Sequence, residues 1–102
     1  MQDVEKEMML IANAGEARSK ALEAIQAAKI KEVDRARSLL AEARVSSRAA
    51  HKIQTSLLQQ EASGNKYEVS VLLIHAQDHL MNAITVIDLA ETIVDLFEAS
   101  RD

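Results

Sequence analysis

The sequence predicts an all-α protein, an antiparallel bundle of three long helices forming a single domain over residues 1–102. Three observations lead there. The 102 residues include no proline, two glycines and seventeen alanines, so nothing breaks a helix and the commonest residue loses little freedom in one. Apolar residues recur at every third or fourth position over long stretches, the period of a helix with one buried face. A single strong stop signal, Ala62-Ser63-Gly64-Asn65, divides the last long stretch from what precedes it.

The first helix is expected over residues 3–30. Leu10, Ala14, Ala17, Ala21, Ala24 and Ala28 mark its buried stripe. Gly15 lies inside it, where glycine costs about 1 kcal/mol relative to alanine. That position is either tolerated or reserved for close approach of a neighbouring helix. The second helix is expected over residues 32–62, with Val33, Ala36, Leu40, Ala43, Ser47, Ala50 and Leu57 facing inward. The short connection from Lys29 to Val33 makes these two helices an antiparallel hairpin. Ser70 is the expected N-cap of the third helix, which runs to about Ser100.

The third helix has more apolar stripes than one bundle needs. Ala76, Leu80, Ala83, Ile87, Ala90, Val94 and Phe97 form one unbroken series. A second begins polar and turns apolar: His75, His79, Asn82, Val86, Leu89, Ile93 and Leu96. A third holds Val71, Ile74, Asp78 and Met81. A helix apolar on several faces is buried on several faces, which argues for a homo-oligomer.

Composition narrows the function classes. A net charge of -4 gives no basic surface for nucleic acid. The absence of cysteine removes disulfides, thiolate chemistry and Cys-based zinc sites. The acidic start, Met1 to Glu7, lacks the basic region of a secretion signal, and no apolar run approaches a membrane span, so no membrane insertion and a cytoplasmic location are expected.

His75, Gln77, Asp78 and His79 interrupt the richest apolar stretch of the chain. At about 100° per residue, His75 and His79 lie ~40° apart, with Asp78 ~60° to the other side of His75. The three project from one arc of the helix. Polar groups there cost free energy unless paired, hydrated or used. Four readings stand side by side. The residues could be satisfied core or interface groups. Histidines at i and i+4 could share a metal ion, or Asp78 could hold a structural one. His75-Ala76-Gln77-Asp78-His79 also approximates the His-x-x-Glu-His zinc protease pattern, but its base would be a shortened Asp and a peptide groove needs a larger fold. A histidine base for hydrolysis finds no nucleophile elbow and no glycine-rich phosphate loop. The fourth reading is a nucleophilic histidine, whose neutral imidazole attacks phosphorus and stores the phosphoryl group.

At these residues the chain resembles the enzyme IIA component of the lactose/cellobiose/chitobiose class of the bacterial sugar phosphotransferase system. The resemblance is carried by the run Glu68-Val69-Ser70-Val71-Leu72-Leu73-Ile74-His75-Ala76-Gln77-Asp78-His79-Leu80-Met81. Ala14-Gly15-Glu16-Ala17-Arg18-Ser19, Ala50-His51-Lys52-Ile53-Gln54-Thr55 and Glu61-Ala62-Ser63-Gly64 support it in order and spacing. It implies a three-helix protomer assembled as a trimer, a nine-helix bundle. It makes His75 the phosphorylated catalytic residue, at Nε2, with His79 and Gln77 as active-site neighbours, Gln77 reaching across the subunit interface. It sets Asp78 near the threefold axis, where three copies share a structural divalent cation such as Mg2+; three converging carboxylates repel unless neutralised. It implies a phosphocarrier that takes a phosphoryl group from HPr and gives it to a cysteine of enzyme IIB, with membrane enzyme IIC delivering a disaccharide. A non-catalytic helical adaptor is the alternative.

Ile74 and Ala76 flanking His75 look more like cellobiose or chitobiose members than lactose members. One departure falls in the first turn, where Lys31-Glu32-Val33 replaces the family's common Gly-Asp-Phe, so that the turn could change or a helix lengthen. His51 and Gln54 are read as packing or surface residues. Arg18 is read as pairing with Glu16 or a nearby Asp, with phosphate contact as the other reading.

Overall fold

The computed structural model describes residues 3–64 and 68–100, and Asn65 of the stop signal lies outside them. Three helices follow one another: α1 (Asp3–Lys29), α2 (Val33–Ala62) and α3 (Val71–Ala99). They run up, down and up, so α1 and α3 are parallel, and α1 packs closely against both partners. The result is a rod 57 Å long and 19 Å wide.

The core is built largely from alanine. Ala14, Ala17, Ala21, Ala24, Ala27 and Ala28 of α1 are buried, as are Ala36, Ala43 and Ala50 of α2 and Ala76, Ala83 and Ala90 of α3. Small residues at the contacts let backbones approach. Leu10, Leu80 and Val94 are the largest fully buried side chains. The expected stripes are therefore the inner faces, with two exceptions. Ser47 is half-buried, and Phe97, expected inside, is 38% exposed because it lies at the end of α3, past the last buried position, Val94.

The α1–α2 turn closes without a glycine. Lys31 takes φ 67°, the left-handed region that favours glycine. The amide of Glu32 donates to the Ala27 carbonyl at 2.9 Å and that of Lys31 to Ala28 at 3.0 Å. These are the two bonds of a Schellman motif, which satisfy the terminal carbonyls of α1. Neither helix is lengthened. At the other end Gly64 has φ 92° and its amide donates to Glu61, as the stop signal requires. Ser70 caps α3: its backbone is extended and its Oγ accepts from the Leu73 amide at 3.0 Å.

Ion pairs link the helices along their outer edges. Lys20 of α1 meets Glu42 of α2 at 3.4 Å, and that contact raises the lysine above its ordinary pKa. Arg37 of α2 meets Glu98 and Asp95 of α3, and Arg44 meets Glu91. A methyl group built on Gly15 would meet nothing within 4 Å, so within the protomer this glycine is tolerated rather than required.

Candidate functional site

Ser70 starts α3 one turn before His75, so the cap fixes where the histidine emerges. His75 is exposed and His79, one turn on, is half-buried. Their Nε2 atoms lie 3.1 Å apart, and the rings meet edge to face at 88° with centroids 4.4 Å apart. One hydrogen can occupy that contact, so one ring donates and the other offers a lone pair. The i, i+4 spacing thus produces a pair of imidazoles on the rim of the bundle.

Asp78 is exposed on the outward side of α3, between the apolar Ile74 and Met81. Beside it is a hollow of about 320 Å3 lined by Asp78, His79, Asn82 and Val86 of α3 and by Arg18 of α1. Arg18 pairs with neither Glu16 nor an aspartate; no hydrogen bond or ion pair holds it among the described residues. The expected pair with Glu16 is absent because residues two apart on a helix do not face each other. Its place beside α3 depends on the register between helices, for which single-helix spacing carries no signal.

Gln77 lies on another side of α3. It projects about 160° around the helix from His75, toward α2, where its Oε1 accepts from Gln54 Nε2 at 2.5 Å. The structure therefore brings His79 together with His75 on one side and with Asp78 and Arg18 around the hollow on the other, and leaves Gln77 with Gln54. His51 stands apart as well, lining an open depression of about 800 Å3 with Ser47, Thr55 and Ile84.

A metal shared by the histidines would have two ring nitrogens to bind it. Among the described residues no group of three His, Cys, Asp or Glu could hold an ion within one chain. Asp78 supplies one carboxylate. Its oxygen chemistry suits a hard cation such as Mg2+, but only with ligands from further copies. No helix among the described residues is long and apolar enough to cross a membrane.

Comparison with known proteins gives a consistent result. The family model for the lactose/cellobiose-specific IIA subunit of the PTS system matches residues 5–98. The lichenan-specific phosphotransferase enzyme IIA component of Bacillus subtilis is 48% identical over 89 residues, 87% of this chain and 81% of that one. The lactose-specific EIIA component of Streptococcus mutans is 49% identical over 89 residues, 87% of this chain and 86% of that one. These matches span the three-helix body rather than the histidine segment alone. Among solved structures, the PTS cellobiose-specific enzyme IIA from Bacillus anthracis superposes with a TM-score of 0.93 at 48% identity, covering 97% of this chain and 92% of that one. The IIA(Chitobiose) chain of an Escherichia coli IIA–HPr complex superposes at 0.83 with 34% identity, covering 97% of each.

Proposed function

The chain belongs to the lactose/cellobiose-specific IIA family of the phosphotransferase system, and from that premise we propose that it is a phosphocarrier acting through His75. In this reading His75 accepts a phosphoryl group from HPr and passes it to a cysteine of the cognate enzyme IIB. The carrying observation is the exposed His75 imidazole with its Nε2 held 3.1 Å from that of His79. The solved relative in complex with HPr supports HPr as donor.

The chemistry follows from that pair. For His75 Nε2 to present a lone pair, His79 must carry the hydrogen on its own Nε2. With the hydrogen on His79, the contact orients the His75 ring, and it must open as phosphorus approaches. The lone pair of His75 then forms the new P–N bond while the donor's P–N bond breaks, its electrons returning to the donor imidazole. In the second transfer a thiolate sulfur of enzyme IIB attacks phosphorus, and the electron pair of the broken P–N bond returns to His75. A rim position suits both steps, since two proteins must reach the same nitrogen in turn.

We read the working form as a trimer in which the outer faces of α3 meet. Val71, Ile74, Met81, Leu89 and Leu96 are exposed there. The hydroxyls of Thr85 and Thr92 on the same face bond back to the carbonyls of Met81 and Asp88, so their polar groups are satisfied within the helix. Three copies of Asp78 would then hold a divalent cation that neutralises their mutual repulsion. The sugar delivered through enzyme IIC is read from Ile74 and Ala76 as a cellobiose- or chitobiose-type disaccharide.

Incubation with phosphorylated HPr and mapping of the labelled residue tests the carrier. Label is expected on His75 and none on His75→Ala. Unchanged labelling of that variant would sink the proposal, and no labelling of an intact wild-type assembly would make the protein an adaptor.

A further inference from the structure

We propose that Arg18 binds the phosphoryl group once it is on His75, an inference that rests on the phosphohistidine reading above. The hollow shared by Arg18, Asp78, His79 and Asn82 suggests this role. Arg18 comes from a different helix, yet it lines the same hollow as His79, whose ring meets His75 nitrogen to nitrogen.

The charges of the free and loaded protein differ at this point. In the free protein the His75–His79 contact satisfies the reactive nitrogen. In the loaded protein that nitrogen is bonded to phosphorus, and phosphoryl oxygens take the place of the lone pair beside His79. A phosphoryl group carries about -1.5 to -2 charge near neutral pH. It arrives on the same arc as the exposed carboxylate of Asp78. Two anions side by side raise the energy of the loaded state unless a cation faces them.

Arg18 is suited to that place. Arg35, Arg37 and Arg44 each have an acidic partner, whereas Arg18, like Arg48 away from the site, has no ion pair among the described residues and breaks none by turning to the phosphoryl group. A guanidinium offers parallel N–H donors that match two phosphate oxygens, and it keeps its charge throughout. Arg18 therefore exchanges no proton and forms no covalent bond. It stabilises the loaded state by charge-assisted hydrogen bonding.

The test uses the assembled full-length chain, HPr, and the variants Arg18→Gln and Arg18→Lys. The readouts are the equilibrium ratio of phosphorylated His75 to phosphorylated HPr, the half-life of the isolated phosphoprotein, and sedimentation of the unphosphorylated form. Arg18→Gln should lower the ratio about tenfold, equivalent to about 1.4 kcal/mol, and shorten the half-life. Arg18→Lys should recover part of both, and sedimentation should match wild type. Wild type labelled on His75, with Arg18→Gln reaching the same ratio and half-life, overturns this inference alone. So does an Arg18→Gln that falls to a smaller species, since Arg18 would then serve assembly. Wild type that accepts no phosphoryl group overturns the phosphocarrier reading and this inference with it.

Discussion

The contact between His75 and His79 sets the two rings edge to face with their Nε2 atoms 3.1 Å apart, so each imidazole has the other as its orienting partner. We predict that His79→Ala keeps the label on His75 but slows transfer from HPr by roughly ten- to a hundredfold, because the nucleophile loses its orienting partner. A wild-type rate in single-turnover transfer would refute that role. At this scale the sequence carried His75, Asp78 and His79, since residues three and four apart share an arc by helix geometry alone. It did not carry the partners of Gln77 and Arg18. Gln77 bonds to Gln54, and Arg18 shares a hollow with Asp78 and His79; both relations cross between helices. Register between helices is set by the whole pattern of packing and ion pairs, of which a single stripe says little.

Among the elements, the ends were legible where a side chain or a glycine makes the cap. Ser70 and Gly64 are local devices, recognisable from residue type and position. The first turn was less legible, because no glycine marks the cap: Lys31 itself enters the left-handed region and both capping bonds form. The satisfied carbonyls of Ala27 and Ala28 offset the strain on one lysine. That strain should be removable. We predict that Lys31→Gly raises unfolding stability by about 1 kcal/mol, less whatever backbone entropy glycine adds to the unfolded chain. An increased denaturant midpoint with an unchanged slope would support this, and an equal or lower midpoint would contradict it. The turn is at the far end of the rod from the α3 cap, so phosphoryl acceptance by this variant should match wild type.

The whole molecule is more extended than its length requires. Its radius of gyration is 15.9 Å, against about 13 Å for a compact domain of this length. It exposes 6439 Å2, against about 5,700 Å2 expected for its mass. One apolar stripe of that surface runs down the outer face of α3, through Val71, Ile74, Met81, Leu89 and Leu96. Asp78 is the charged interruption between Ile74 and Met81, and its replacement separates metal binding from folding. Asp78→Leu should abolish bound divalent metal, read by elemental analysis of the purified assembly, while the helical circular dichroism persists. Full stoichiometric metal in that variant would remove Asp78 as the ligand. The apolar positions test assembly itself. Leu89 is 58% exposed in the protomer, three turns from Asp78, and fully burying such a side chain contributes about 1.5–3 kcal/mol. In a trimer each substitution acts three times, and Leu89→Glu would set three carboxylates into one apolar seam. We predict that this variant sediments as a monomer and keeps its helical spectrum, because Leu89 is not part of the protomer core. It should also lose metal although Asp78 is untouched, since the ion needs several copies to bind. A trimer that survives Leu89→Glu would mean that the outer face of α3 is not the seam.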